Sequence, residues 1–345
     1  MHSVSVAICR LPPMSTEVFV PTLEEEENHE ARVASAAETS SGHILWIPTV
    51  LVTSVPLMAL MAFVPWFFSW TGVLLALLGI FLCGSLGVSL CYHRLLTHRS
   101  FRTPKWLEHT LAILGFCAVQ YPPARWVGIH RRHHRFADDE PDPHSPAVSF
   151  FWGHVGWILV SNDQLSQLKI LERYAKDLVR DRFYRQLERS AWQLWIVLIQ
   201  IGLFFAIGYL TSLVLGYTPL TAFQFASSLL VWGFFVRVVV VWHQTWAINS
   251  VTHLWGYRNY ATDEDSRNNV LVGYLSNGEG WHNNHHAYPQ SAKFGHRWWE
   301  IDTTWILIRL LASLGLAQDV VSSNPSGRRR AYPDHGASRS AANVD

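Results

Sequence analysis

Histidines are concentrated in four short motifs whose spacing suits a metal site. The motifs are HRLLTH, HRRHH, NSVTH and HNNHH, and their candidate ligands are His93, His98, His130, His133, His134, Asn249, His253, His282, His285 and His286. Neutral imidazole is the commonest metal ligand among side chains. Residues at i, i+3 and i+4 share one face of a helix, so each HxxHH motif presents three rings together. A single motif is more typical of an exposed polar face, but the four together predict one shared metal site.

The number and type of these ligands limit the choice of metal. Nine histidines exceed the four ligands of a structural zinc ion, and the chain has no HExxH motif of a zinc hydrolase. Two metal ions with about five ligands each fit the count, and nitrogen ligation suits iron, copper, nickel or zinc rather than magnesium or calcium. Because neutral rings leave the charge of the ions uncompensated, the site would suit reductive activation of oxygen, and we expect two iron ions.

A ligating imidazole usually needs a hydrogen-bond partner on its second ring nitrogen. Glu279 in GEGWH and Asp142 in DPDPH lie close in sequence to the histidine motifs and are the candidates for this role. The alternative is that both are ordinary loop acids.

The elements that must position these motifs are membrane spans. Charged residues make up only 15% of the chain, and there is none at 39–93 or at 190–236. A spanning helix needs about 20 mostly apolar residues, so each gap holds two spans, predicted at 44–67, 71–92, 191–214 and 223–246. The alternative is four buried core helices, which stretches such as VLLALLGIFLCGSLGVSL disfavour because they have no polar face.

The topology brings all four motifs to one side of the membrane. The segment from Arg94 to Arg189 holds fifteen Arg and Lys residues, whereas the links between paired spans are short and neutral. By the positive-inside rule this segment and both termini are cytoplasmic, and a bacterial inner membrane is the expected location. We therefore predict an all-α integral membrane protein, with four transmembrane helices under a cytosolic helical cap that holds the di-metal site.

Three regions are expected along the chain. Residues 1–40 are polar and predicted to be disordered, residues 41–320 form the membrane domain, and residues 321–345 form a disordered Arg-rich tail. The net charge is +1, so no nucleic-acid partner is indicated, and the expected environment is the lipid bilayer.

The segments HRLLTHRSF, DPHSP, GHVGWIL, TWAINSVTHLWGYR, GEGWHNNHHAYP and LGLAQD together resemble the membrane fatty acid desaturases of the acyl-CoA (stearoyl-CoA) type. The resemblance runs from about Leu74 to Gln318. It implies two irons held by the nine motif histidines, with Asn249 at the position of an asparagine that reaches a metal. The implied reaction is oxygen-dependent insertion of a cis double bond into a saturated acyl chain, most often between carbons nine and ten. Two electrons would come from a separate ferredoxin or b-type cytochrome.

Other features resemble the bacterial, cyanobacterial and plant branch of this family. Animal acyl-CoA enzymes carry an EWARDHR-like run before the second motif, whereas this chain reads ARWVGIHRRHH, with Gly128 and Ile129 in place of the charged pair. HNNHH and WWEIDTTW also look more like that branch, some of whose members act on acyl groups esterified in lipids. The acyl carrier is therefore left open between CoA, lipid and acyl carrier protein.

A saturated acyl chain has no polar group at its midpoint, so the reacting carbons must be positioned by a tunnel of fixed shape. In the family a bend in the tunnel is formed by a Trp, a Gln and a Thr, and Trp126, Gln120 and Thr245 stand at the matching positions. Simple core packing is the alternative.

The methyl end of the tunnel is assigned to one stripe of the second span. Phe81, Ser85 and Ser89 precede His93 at steps of four, and Phe81 is expected to set the depth.

Some residues and some functions stay open at this point. Arg237 lies inside the last span, where ion pairing, snorkelling and substrate contact are all possible. Five of the histidines outside the motifs are expected to be structural or to support the ligands: His109, His144, His154, His243 and His296. The rival functions are a related di-iron membrane hydroxylase, a desaturase of different regiochemistry, and a His-rich metal transporter or sensor.

Overall fold

The computed structural model describes residues 42–138 and 142–322. The predicted disordered segment 1–40 and most of the predicted Arg-rich tail lie outside these residues. The described part is helical, with isolated β-bridges and no strand. This confirms the predicted all-α class.

The main helices of the described residues are numbered in chain order as α1 Trp46–Phe63, α2 Trp70–Thr97, α3 Lys105–Phe116, α4 Pro123–Phe136, α5 Gln167–Tyr174, α6 Lys176–Val179, α7 Arg182–Leu187, α8 Ser190–Val214, α9 Pro219–Leu254, α10 Val270–Leu275, α11 His282–Ala287 and α12 Thr303–Ser313. Short helical turns at Trp152–Gly156, Trp157–Leu159 and Asp163–Leu165 connect α4 to α5. Four of these helices, α1, α2, α8 and α9, are long and apolar enough to cross a membrane. The predicted number of spans is therefore confirmed.

The surface of α8 shows why these helices belong in lipid. Leu198, Ile199, Leu203 and Ile207 are about half exposed, with exposed fractions of 46%, 51%, 52% and 51%. Because these residues point in several directions around the helix, α8 exposes apolar side chains around much of its circumference. A helix buried in a water-soluble core would not expose them, so the alternative of four buried core helices is wrong.

Two spans continue past the ends predicted for them. The predicted second and fourth spans end at residues 92 and 246, whereas α2 continues to Thr97 and α9 to Leu254. The additional turns carry His93 and His253, and the cap packs around them. The first span is shorter than predicted because Pro65 follows it, and the residue before a proline avoids helical geometry.

The second part of α2, Phe81–Thr97, is a π-helix. The N–H of His98 donates to the carbonyl oxygen of His93, five residues earlier, at 3.2 Å. In an α-helix each residue turns about 100°, so a five-residue spacing would leave the two rings about 140° apart. The wider π turn brings them close to one face. π-Helical segments are rare in proteins, and those that occur often lie at functional sites.

The cap surrounds the ends of α2 and α9. Its apolar core joins the end of α2 to α3, α4, α7 and α12, and its fully buried members include Leu90, Leu95, Leu96, Ala112, Ala124, Val127, Tyr184 and Ile308. A Cβ atom on Gly87 of α2 would lie 2.3 Å from the Gly115 nitrogen of α3, so the two backbones meet at these glycines. This core fixes α4, which carries the second histidine motif, across the end of α2.

Candidate metal centre

The nine motif histidines converge in the structure and divide into two groups. The five-His group contains His93, His98, His130, His134 and His285. The four-His group contains His133, His253, His282 and His286. Within each group one ring nitrogen of every member lies within 4.8 Å of the others. The arrangement matches the expected count of two metal ions, and the ligand roles themselves stay predictions.

Each HxxHH motif supplies both groups. On α4, His130 and His134 face the five-His group, and His133 faces the four-His group. On α11 the roles are exchanged, because the i and i+4 rings, His282 and His286, face the four-His group. Residues i and i+4 are about 40° apart on a helix, whereas i+3 lies about 60° to the other side. The spacing of the motif therefore directs its rings to two neighbouring centres.

The contacts within the groups fit metal ligation. The Nε2 atoms of His93 and His134 lie 3.1 Å and 2.9 Å from His285 Nε2, and His282 Nε2 lies 3.1 Å from His253 Nε2. Two nitrogens about 2.1 Å from one ion and at a right angle to each other would be about 3.0 Å apart. In addition, His98 Nε2 is buried without a hydrogen-bond partner. A bound metal ion would satisfy it.

Most of the rings outside the spans are also held in the form that binds metal. Burial, reinforced by neighbouring histidines, lowers the pKa of His98, His130, His134 and His285 well below the usual range of imidazole. These rings are therefore neutral near pH 7. A neutral ring offers a free lone pair, so deprotonation does not oppose metal binding.

Carboxylates contact the second ring nitrogen of several of these histidines. Glu279 contacts His93 Nδ1, and Asp142 Oδ2 lies 3.0 Å from His133 Nδ1. Both are the carboxylates proposed from the sequence, and their role in orienting rings stays a prediction. Burial would raise the pKa of Glu279, but His93 and Arg94 outweigh it and hold the pKa at about 2. Glu279 is therefore an anion.

Two further carboxylates were missed by the sequence analysis. Asp138 Oδ2 accepts from His253 Nδ1 at 2.8 Å, and Glu264 Oε2 lies 3.5 Å from His286 Nδ1. Asp138 closely follows HRRHH and Glu264 follows the last span in TDEDSRNN. In a chain with few charges, acidic residues this close to histidine motifs are the signal that would have found them.

Arg94 links the five-His group to the rest of the cap. Its guanidinium donates to Glu279 Oε1 at 2.9 Å and to Asp302 Oδ2 at 2.9 Å, and it stacks 3.8 Å from the centre of the Phe294 ring. Ser89 also donates to Glu279, so this residue of the predicted stripe supports the carboxylate that contacts His93.

The two asparagines of HNNHH lie away from the ring nitrogens. Asn283 Oδ1 accepts from the backbone N–H of Asn259 and of Tyr260 at 2.8 Å, and Asn284 Nδ2 donates to Glu300 Oε2 at 2.8 Å. Both asparagines are fully buried. These hydrogen bonds hold α11 in place.

Two cavities meet beside the histidines. The first, of ≈ 150 Å³, lies between α1, α4, α9 and the turn at Trp157, and the second, of ≈ 40 Å³, lies between α2, α9 and the loop before Glu279. The residues that line both are Trp126, His130, Thr245 and Asn249. The two cavities therefore adjoin each other next to the five-His group.

The three residues predicted at the tunnel bend are hydrogen-bonded to one another at this junction. Trp126 Nε1 donates to Gln120 Oε1 at 3.0 Å, and Gln120 Nε2 donates to Thr245 Oγ1 at 2.9 Å. Phe81 and Ser85 line neither cavity, and the Phe81 side chain is 41% exposed on the outside of α2. The structure thus brings Trp126, Gln120, Thr245 and, from the predicted stripe, Ser89 to the cavities, but not Phe81 or Ser85.

The remaining polar residues of the sequence analysis have local partners. Arg237 donates to Gln200 Oε1 at 2.8 Å, to Cys83 Sγ at 2.9 Å and to the Cys117 carbonyl at 3.1 Å. These partners are neutral and join α8, α2 and the end of α3 to α9. The five histidines that were expected to be structural or to support the ligands contact Asp181 (His109), Asp142 (His144), Ser250 (His154), His154 (His243) and Tyr260 (His296).

Comparison with known proteins agrees with the resemblance seen in the sequence. A family model described as "Fatty acid desaturase" matches residues 65–320. The chain is 43% identical over 289 residues to an sn-2 palmitoyl-lipid 9-desaturase of Nostoc sp., which covers 84% of this chain and 94% of the relative. It is 42% identical to an sn-1 stearoyl-lipid 9-desaturase of Synechocystis sp., over 80% of each chain. It is also 42% identical to an acyl-CoA 5-desaturase of Anemone leveillei, over 74% of each chain. This chain belongs to the fatty acid desaturase family.

Proposed function

We propose that this desaturase inserts a cis double bond between carbons nine and ten of a saturated acyl chain esterified in a membrane lipid, using oxygen and two iron ions. The junction of the two cavities carries the proposal. At that junction the hydrogen-bonded residues Trp126, Gln120 and Thr245 lie next to His130 and Asn249. A rigid bend beside the metal centre would fix which carbons of a featureless chain are oxidised.

The two histidine groups would hold one iron ion each. Asn249, which lies one helical turn before His253, is a further candidate ligand. Bound iron supplies the activation of oxygen and the removal of hydrogen from the acyl chain. The protein supplies position: Glu279, Asp142 and Asp138 each accept a hydrogen bond from a histidine and so fix the direction of its lone pair.

The mostly apolar walls of the first cavity would disfavour water next to the reacting carbons. Apart from a few polar groups they are apolar and aromatic, and the aromatic members are Tyr121, Trp126, Trp157, Trp242 and Trp246. Trp242 Nε1 donates to the Val119 carbonyl at 2.9 Å, so one of these rings is fixed by the backbone. A dry cavity of fixed shape favours reaction at the held carbons over side reactions with water.

Three observations support a lipid as the acyl carrier. The first cavity is lined by Ile47 and Pro48 of α1, and Ile47 is 77% exposed on the apolar surface of the spans. Gly128 and Ile129, which replace the charged pair of the animal acyl-CoA enzymes, are buried, and a Cβ on Gly128 would lie 2.5 Å from Ile170. The relatives from Nostoc and Synechocystis are also named as lipid desaturases.

The cap is assigned to the cytoplasmic side of a bacterial inner membrane. The fifteen Arg and Lys residues between Arg94 and Arg189 support this orientation. Electrons would come from a soluble carrier, a ferredoxin or a b-type cytochrome, on that side.

Expression in a desaturase-deficient bacterium tests the proposal. We expect a cis double bond at carbon nine, located by mass spectrometry of derivatised fatty acids, and labelled product in intact phospholipid before any acyl-CoA pool. A His282→Ala variant is the matched control and should give no product. A hydroxy acid would favour the hydroxylase alternative, a bond at another carbon would refute the Δ9 assignment, and product first in acyl-CoA would refute the lipid carrier.

A further inference from the structure

Helix α4 has two functional faces. Its inner face carries His130, His133 and His134. Its outer face is the one toward α5, where Arg132 is largely covered, with 2% exposure, but lines a pocket. Arg131 ties α4 to its neighbours, because its guanidinium donates to the Leu96 carbonyl of α2 at 2.8 Å and to the Tyr174 carbonyl of α5 at 2.9 Å. The outer surface of α4 is therefore separated from the histidine groups by the helix itself, whose overall diameter is about 10–12 Å.

A basic pocket lies on this outer surface, between α4, α5 and the start of α6. Its volume is ≈ 420 Å³, and its lining residues are Arg132, Lys169, Glu172, Arg173, Tyr174 and Lys176. Four of the six are cations and one is an anion. Lys169, Arg173 and Lys176 are exposed. The whole chain has a net charge of only +1, so positive charge is concentrated here.

The proposed reaction requires electrons from outside the chain. Desaturation removes two hydrogen atoms from the acyl chain and reduces oxygen to two water molecules, so two further electrons and two protons must be supplied. The four cysteines of the chain have no spacing that would hold an iron–sulfur cluster. A separate one-electron carrier must therefore approach within a short distance of the histidine groups twice in each turnover.

We propose that the basic pocket is the docking site of a small acidic one-electron carrier protein. The inference rests on the proposed function. A carrier seated on Lys169, Arg173 and Lys176 lies against Arg132, which is joined through the α4 backbone to His133. The path from carrier to metal therefore crosses a single helix. Positive charge around the pocket attracts an acidic partner and orients it before contact.

The position of the pocket distinguishes this partner from the acyl substrate. The first cavity shares no lining residue with the basic pocket and is lined by α1, α4 and α9, with Ile47 and Trp246 among its residues. An acyl carrier that enters there does not need the basic pocket. The two partners can bind at the same time, as a reaction with one acyl substrate and two electron deliveries requires.

The test measures binding and activity separately. A double variant, Lys169→Glu with Arg173→Glu, reverses two exposed charges on α5, and Lys169→Gln with Arg173→Gln only removes them. Arg102→Glu is the matched control, because its side chain is 81% exposed, lies outside the pocket and forms a salt bridge with the exposed Asp319. The probe is an acidic [2Fe–2S] ferredoxin, and its Kd for the purified, iron-loaded desaturase is measured at low and at high salt.

We expect the Glu double variant to raise the Kd for ferredoxin about tenfold or more and to flatten its salt dependence, with a smaller effect for the Gln variant. The KM for ferredoxin should rise in parallel, while the iron content, the thermal midpoint and turnover driven by a chemical reductant stay at wild-type values. Arg102→Glu should bind as the wild type does.

Three results would overturn the docking proposal. The first is an unchanged Kd for ferredoxin in the Glu double variant, and the second is an equal loss of affinity in Arg102→Glu. The third is a Glu double variant that loses binding to anionic lipid vesicles while it keeps its affinity for ferredoxin. The proposed function fails separately, if wild-type protein with a chemical reductant produces no double bond. Because ferredoxin binding is measured without turnover, the two failures are distinguishable.

Discussion

Replacing Asp138 with asparagine should weaken one metal site and spare the other. Asp138 is buried, with 3% exposure, and its Oδ2 atom accepts from His253 Nδ1 and from the Asp265 N–H, both at 2.8 Å. Its backbone has a φ of 62°, a left-handed conformation that asparagine also adopts readily. The variant therefore keeps the shape, the backbone and an acceptor oxygen, and it removes only the negative charge.

The size of the effect follows from the hydrogen bond to His253. A hydrogen bond to a charged group contributes about 1.5–3 kcal/mol, and one between neutral groups about 0.5–1.5 kcal/mol. The substitution thus removes about 1–1.5 kcal/mol from one ligand. Because 1.4 kcal/mol is a factor of ten in affinity, the four-His group should bind iron about tenfold more weakly. This lies at the low end of the 10–100-fold effect known for partners of metal ligands.

The assay is iron retention during titration with a chelator, followed by metal analysis and by spectroscopy of the remaining ion. Asp138→Asn should pass through a state with one iron per chain at a chelator concentration where the wild type keeps both. Glu279→Gln should lose an ion from the five-His group instead, and Asp319→Asn, at an exposed position, should behave as the wild type does. Parallel loss of both ions in Asp138→Asn, or no loss, would refute the reasoning.

Three other substitutions test separate parts of the structure. Gln244 lines the second cavity, and its Nε2 donates to the Leu275 carbonyl at 2.7 Å. Gln244→Ala should enlarge the second cavity and shift the product profile, measured by gas chromatography, toward longer acyl chains. An unchanged profile would contradict this role of Gln244. A Cβ on Gly79 would lie 2.5 Å from Arg237 Cδ, so Gly79→Ala should cost about 1–3 kcal/mol of stability and lower the thermal midpoint in detergent. Burial lowers the pKa of His154 to about 4. Between pH 6.5 and pH 4 this histidine is therefore protonated in the unfolded state but not in the folded state, and the stability of the wild type falls as the pH is lowered. The His154→Gln variant lacks this pH-dependent loss of stability. The difference in thermal midpoint between the wild type and the variant should therefore shrink from pH 7 to pH 4.5, and a constant difference would contradict the lowered pKa of His154.

The spans and the histidine motifs could be predicted because their signals are local. Apolar runs without charge define the spans, and the spacing of HRRHH and HNNHH defines one helical face each. The π-helix was not predicted, because side-chain propensities do not distinguish an i+5 from an i+4 hydrogen bond. Its only trace in the sequence is the five-residue spacing of His93 and His98, which an α-helix would not align.

The prediction for Phe81 illustrates a limit of periodicity. A four-residue spacing matches neither the 3.6-residue turn of an α-helix nor the wider turn of the π-helix that runs from Phe81 to Thr97, so the side-chain direction drifts at every step, and Phe81 lies three steps from His93. Ser89, one step away, stays on the buried side and reaches Glu279, whereas the Phe81 side chain is exposed on the outside of the span. A stripe inferred from spacing therefore holds for one or two steps from the ligand. The role of Phe81 in the tunnel stays a prediction, which the chain-length profile of a Phe81→Ala variant can test.

The carboxylates behind the histidines give the two groups different electrostatic environments. Glu279 is the only one of the four that contacts the five-His group, whereas Asp142, Asp138 and Glu264 all contact rings of the four-His group. An ion in the five-His group would thus be held mainly by the number of its neutral ligands. An ion in the four-His group would have one histidine ligand fewer, but three carboxylates would lie behind its ligands and offset the positive charge that neutral imidazoles leave uncompensated. Sequence motifs identify the rings, but long-range packing of the loops decides which ion receives the negative charge.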